Sequence, residues 1–148
     1  LYHASHIGLY HRVHANAPEE DQRAMFTNTE FTGDGVIPEI VGYADIHQAF
    51  VKTFRGGGIL FNTGSVGNPL DEPIASYAII EGLLENGKPA PLSIQVVRLP
   101  YDIERAIQVA KEESLPEEEL QDWENELRTG RYRLDPASRE WRKTDFSN

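Results

Sequence analysis

The sequence contains no cysteine. That excludes disulfides, thiolate metal sites and a thiol nucleophile, and it agrees with a reducing compartment. No apolar run approaches the length of a membrane-spanning helix. Basic residues are scarce: 14 Lys and Arg stand against 24 Asp and Glu, a formal net charge of -10. Such a surface repels nucleic-acid phosphates and anionic membranes, so neither is expected as a broad partner. A small phosphate ester stays open, because bound metal ions reverse the local field.

What is present describes a folded chain. Hydrophobic residues make up 39% and charged residues 26% of 148, a globular rather than a disordered balance. The opening Leu1-Tyr2-His3-Ala4-Ser5 lacks an initiator Met and a signal-peptide pattern. It reads as a start inside a larger domain.

Hydrophobic patterning predicts mixed elements. Pro18, followed by Glu19, Glu20 and Asp21, predicts a helix running to Phe31, before Gly33-Asp34-Gly35. Ile37 to Tyr43 reads as a buried strand. Ala49 to Phe54 and Ile59 to Thr63 read as a hairpin joined by Arg55-Gly56-Gly57-Gly58. Ala75 to Leu84 and Leu92 to Leu99 are longer strands, with Asn86-Gly87 as the turn between them. Ile103, Ala106, Ile107 and Ala110 form one helical stripe. Leu120, Trp123 and Leu127 form another, begun near Pro116 and stopped by Gly130. Residues 131 to 148 read as a polar tail in which Trp141 is the best anchor. Taken alone, the pattern is that of an α+β domain.

Two segments carry possible chemistry. Asp45-Ile46-His47 leaves a strand, and a carboxylate and an imidazole two residues apart can converge on a metal. Asn62-Thr63-Gly64-Ser65-Val66-Gly67-Asn68-Pro69 follows another strand, and its glycines allow close backbone approach to an anion. The bland alternatives are a loop polar pair and a strand-end turn. All five histidines, His3, His6, His11, His14 and His47, lie in the first third of the chain.

The order of these segments resembles the calcineurin-like metallophosphoesterases, in particular their YfcE-like bacterial branch. A strand-end His3, then Ala44-Asp45-Ile46-His47, then Asn62 to Pro69, then Ala75-Ser76-Tyr77 and Leu99-Pro100-Tyr101-Asp102 match that family's sequence of motifs over residues 1 to about 130. The resemblance implies an α/β fold, the C-terminal part of a four-layer αββα sandwich with mixed and antiparallel strands. It implies hydrolysis of a phosphodiester or phosphomonoester through a metal-bound hydroxide on two divalent ions. Manganese is the expected metal, with iron, zinc and nickel as alternatives. His3, Asp45 and His47 match metal ligands, and Asn62, Ser65 and His6 border substrate.

Departures from the family pattern are plain. Asp45 stands where the family has His, Ala44 and Ala4 replace Gly, and Thr63 replaces Pro. The family's Asp-x-His, Gly-Asp-x-x-Asp and Gly-Asn-His motifs are missing, so no catalytic group is expected within these residues and the chain alone is expected to be inactive. A cytoplasmic protein acting on a small phosphoester or nucleotide, with an oligomer possible, is the resulting expectation. The alternative is an inactive binding or regulatory protein that keeps the fold.

Overall fold

The computed structural model describes residues 1–30, 32–83, 90–113 and 116–132. Its elements are helix α1 (Glu19–Ala24), strands β1 (Ile40–Tyr43), β2 (Phe50–Thr53), β3 (Ile59–Asn62), β4 (Ala75–Gly82) and β5 (Leu92–Leu99), and helices α2 (Ile103–Glu112) and α3 (Glu117–Thr129). They form a mixed α/β fold with two sheets. One sheet has the order β1-β3-β2, and the other pairs β4 with β5.

β3 is parallel to β1, with Tyr43 opposite Asn62, and antiparallel to β2, with Phe50 opposite the same Asn62. The β2–β3 hairpin forms as expected: Phe54 N donates to Gly58 O at 3.0 Å and Gly57 N to Phe54 O at 3.1 Å. β4 and β5 pair antiparallel from Ala75–Leu99 to Gly82–Leu92. From Ile79 outward no residue of β4 is buried.

Three expectations are corrected. The first helix stops at Ala24 rather than reaching Phe31. Thr29 N donates to Thr32 Oγ1 at 2.7 Å, and Thr32 Oγ1 donates to Thr29 O at 3.1 Å. These side chains capture backbone groups that a helix would use. β1 begins at Ile40 rather than Ile37, because Pro38 has no N–H for a ladder. His3 does not end a strand. Instead Tyr2 and His3 run beside β1 through two bonds, Tyr2 N to Gly42 O at 2.9 Å and Ala44 N to His3 O at 3.1 Å. Phe31, Leu84, the Asn86-Gly87 turn, Leu115 and the Trp141 anchor lie outside the described residues.

The helices at the far end start and stop as their sequences dictate. Asp102 caps α2, its Oδ1 accepting from Arg105 N at 2.9 Å. Gly130 ends α3 in the left-handed conformation at φ 63°. Arg128 binds Glu104 with two bonds of 2.9 Å, fastening α3 to α2.

The core joins Val13, Met25, Val41, Tyr43, Ile46, Phe54 and Leu60. Burying each larger side chain is worth about 1.5–3 kcal/mol. This core pins the loop that precedes α1. Val13 sits inside it, and the Tyr43 hydroxyl donates to the Val13 carbonyl. Burial raises the Tyr43 pKa, so the phenol keeps the proton it donates. Gln22, fully buried, donates to His14 O at 3.2 Å and Ala15 O at 2.8 Å, and accepts from Lys52. A long connection without regular structure is thus held to the sheet at successive positions.

Candidate functional site

Because β1 and β3 run parallel, the loops that follow them leave the same edge of the sheet. Asp45 lies two residues beyond β1, and Asn62 is the last residue of β3. His3, running beside β1, arrives at that edge as well.

The centre of this edge is the Asp45 carboxylate, whose side chain is 9% exposed. Its Oδ1 lies 3.5 Å from His3 Nε2, and its Oδ2 accepts a 2.7 Å bond from Arg12 Nε. His3 itself is 63% exposed. A buried carboxylate needs a cation or donors to offset lost hydration, and here Arg12 supplies the close one.

His47 has a backbone unlike its neighbours. Among the described residues it is the non-glycine residue with positive φ, at 54°. Its N donates to Ala44 O at 3.3 Å, its carbonyl accepts from Leu70 N at 3.0 Å, and its Nδ1 lies 2.8 Å from Asn68 O. The Asn68 carbonyl can only accept, so Nδ1 carries a proton and Nε2 is the ring nitrogen outside this bond.

The loop from Asn62 to Pro69 is bound tightly to itself and to β4. Asn62 is 0% exposed. Its Nδ2 donates to Ala44 O at 2.6 Å and its Oδ1 accepts from Gly64 N at 2.9 Å. Asn62 therefore ties the loop after β3 to the loop after β1. Gly64 takes φ 71°, and a Cβ there would lie 2.0 Å from Ser76 Oγ. Ser65 N donates to Ser76 Oγ at 3.2 Å, and Ser65 Oγ accepts from Gly67 N at 3.3 Å and Asn68 N at 3.0 Å. The amides of Gly64, Ser65, Gly67 and Asn68 are thus all engaged within the protein. Asn62 and Ser65 act here on the shape of the loop. Asn68 Nδ2 donates to Glu126 Oε2 at 2.9 Å, linking the loop to α3.

His6 is partly buried, and its Nδ1 is a buried atom without a hydrogen-bond partner among the described residues. Burial lowers its pKa, and the charge of neighbouring His11 adds to this. His6 is thus biased toward the neutral ring. His11 and His14 are exposed.

A cavity of about 520 Å³ lies elsewhere. Arg23, Phe26, Ile37, Glu39 and Gly56 to Gly58 line it. These residues flank the amino-terminal ends of β1 and β3, the edge opposite to Asp45.

Do the residues fit a two-metal centre? A resident divalent ion demands three or more protein donors, and a pair of ions demands a shared carboxylate as well. His3 and Asp45 meet. No group of three or more His, Asp or Glu placed to hold a metal ion exists among the described residues. His47 is not gathered with the other two into such a group. The described residues do not fit a two-metal centre on their own.

Sequence reasoning missed Arg12, Asn68 and Ser76. Arg12 stands among the histidines of the first loop, a weak signal. Asn68 and Ser76 act through contacts that only the folded loop creates.

No protein-family model matches the sequence, and no curated protein matches it. A solved structure does. The chain is similar to a metallophosphoesterase from Sphaerobacter thermophilus at 18% identity and a TM-score of 0.54, over 87% of this chain and 53% of that one. The likeness shows a shared fold. The chain spans about half the length of that structure.

Proposed function

We propose that this chain is part of a phosphoesterase that hydrolyses a phosphodiester or phosphomonoester, of the YfcE-like kind. The observation that carries the reading is the fold shared with a metallophosphoesterase. The meeting of His3 and Asp45 at the carboxyl edge of β1 supports it. In this reading His3, Asp45 and His47 belong to a ligand set for two divalent ions, with manganese the first candidate. The set is incomplete within these residues, and the remaining donors come from outside them. Asn62 and Ser65 hold the neighbouring loop in shape, and His6 borders the substrate. A small phosphoester or nucleotide in the cytoplasm is the proposed substrate, because the acidic surface disfavours polyanions.

A second reading is a binding or regulatory protein that keeps the fold without turnover. The 2.7 Å bond from Arg12 to Asp45 favours it, since the carboxylate already has a cation.

Hydrolysis of bis-p-nitrophenyl phosphate with Mn²⁺ tests the first reading. The assay compares the full-length product of the encoding gene with the 148-residue chain. Turnover is expected in the former, lost on His3→Ala or Asp45→Asn, and absent in the latter. If the full-length product fails to hydrolyse it with Mn²⁺, Fe²⁺, Zn²⁺ or Ni²⁺, the phosphoesterase reading is rejected. Robust turnover by the 148-residue chain alone rejects its incompleteness.

A further inference from the structure

The chain leaves the Asp45 carboxylate at His3 and returns to it at Arg12. His3 Nε2 lies 3.5 Å from Oδ1, and Arg12 Nε donates to Oδ2 at 2.7 Å. Residues 4–11 therefore form a loop whose two ends gather on one side chain, in the manner of an Ω-loop. Its stem is fastened inside the protein. Ala4 and Ser5 are buried, and so is Val13 just beyond the other end. Ser5 Oγ accepts from Ile7 N at 3.3 Å and donates to Gly8 O at 3.3 Å, which folds the chain back on itself.

The tip of this loop is apolar and faces water. Ile7 is 66% exposed, Leu9 61% and Tyr10 89%. Single exposed apolar side chains are ordinary, but three large ones within four positions on a fastened stem form a patch suited to a ligand. Charge narrows the ligand. Residues 1–18 contain no Asp or Glu, and all 24 acids follow from Glu19 onward. The carboxylate beneath the loop, Asp45, is already answered by Arg12. In a chain of net charge -10 this segment is the one that does not repel an anion. An apolar tip on an acid-free stem fits an anion that carries an apolar group.

We propose that the loop of residues 4–11 receives the alkyl substituent of an amphiphilic phosphoester, with Leu9 and Tyr10 as the contacts that select it. This deepens the phosphoesterase reading and rests on it for the fate of the phosphate. The contact at the tip needs no metal, and Arg12 keeps its bonds while the ligand binds.

Binding is tested on the ¹⁵N-labelled 148-residue chain by NMR, with octyl phosphate below its micelle concentration against methyl phosphate. Octyl phosphate is expected to move the amide resonances of Ile7, Leu9 and Tyr10. It is expected to bind about ten-fold more tightly than methyl phosphate, the gain from burying roughly two methylene groups. In Leu9→Ser/Tyr10→Ser, which alters only exposed side chains, that gain is expected to vanish. Equal affinity for the two phosphates overturns the proposal, and so does octyl phosphate binding that leaves the three resonances in place. Octyl glucoside, with the same chain and no charge, is expected to bind more weakly than octyl phosphate. Equal binding of the two overturns the choice of an anion.

The full-length gene product then separates this proposal from the reading beneath it. p-Nitrophenyl octyl phosphate is expected to show a KM about ten-fold below that of p-nitrophenyl methyl phosphate, and the double variant is expected to lose that preference. Turnover without the preference overturns the substrate role of the tip. A preference unchanged in the variant, with a thermal midpoint several degrees lower, shows that the rest of the protein covers the tip and overturns it too. No turnover of either ester, with octyl phosphate still bound at the tip, rejects the phosphoesterase reading and leaves the amphiphile site standing.

Discussion

Asn62 and Ala44 are joined side chain to backbone at 2.6 Å, across the ends of two parallel strands. Through this bond, and through Gly64 N at 2.9 Å, one buried amide fixes both loops that border Asp45. The arrangement makes the edge of the sheet a single stiff unit.

Asn62→Ala is therefore expected to destabilise the protein by about 1–3 kcal/mol for each buried group left unpaired, the Ala44 carbonyl and the Gly64 N–H. Urea unfolding followed by circular dichroism measures it. A midpoint equal to that of the unchanged chain would show that water replaces both bonds.

Gly64 and Ser76 form a coupled pair. Gly64→Ala places a methyl group 2.0 Å from Ser76 Oγ at a backbone φ of 71°, so both clash and backbone strain oppose it. The expected cost is about 2 kcal/mol or more. Ser76→Ala removes the clashing oxygen, so Gly64→Ala is expected to cost less in that background. A double-mutant cycle reads the coupling, and strict additivity would contradict the crowding.

Gly130 meets a harder obstacle. A Cβ there would lie 2.7 to 2.9 Å from the Glu72 backbone, which has no rotamer with which to yield. Gly130→Ala is expected to undock the end of α3 and to lower the thermal midpoint by several degrees. Calorimetry is the measurement, and an unchanged midpoint would refute the contact.

Acid stability is expected to depend on Asp71. Its burial pushes the pKa upward, but bonds from Arg98 and from the Ala49 and Glu72 amides outweigh this and hold it below the ordinary value. A carboxylate with a depressed folded pKa stabilises the fold above its unfolded pKa, near 3.9. That contribution fades as pH falls through the lower, folded value. Asp71→Asn is expected to be less stable than the unchanged chain at neutral pH and to converge with it once the pH has fallen below the depressed folded value. Parallel urea curves at the two pH values would show the Arg98–Asp71 pair to be energetically silent.

Much of the fold is legible in the sequence, because strong periods and turn residues act locally. The β2–β3 hairpin, β5, α2 and the stop at Gly130 follow from triglycine, alternation, the Ile103 to Ala110 stripe and a left-handed cap. The ends of α1 and β1 are less so. They depend on Thr29 and Thr32 bonding each other and on the missing donor of Pro38. At the site, the order of motifs implies that His3, Asp45 and His47 gather; His3 lies 3.5 Å from Asp45, while no such group of three exists among the described residues. No motif implies the arginine on the other carboxylate oxygen. A guanidinium's partner depends on the path of a loop held by Tyr43 and Gln22, and no local pattern encodes that path. Likewise the Asn62 to Pro69 glycines allow either approach to an anion or a plain strand-end turn, and the structure engages their amides with Asn62, Ser65 and Ser76.

The β4–β5 ribbon has a consequence for the solution behaviour of the chain. Tyr77, Ile79 and Ile80 are exposed along a strand whose sheet has only β5 as its described partner. An exposed apolar strand face of this sort favours association, one molecule adding to the next. At neutral pH the charge of -10 keeps molecules apart. Near the isoelectric point of about 4.9 that repulsion disappears. Turbidity and thioflavin binding should then rise with protein concentration, and a lysine at position 79 should suppress both.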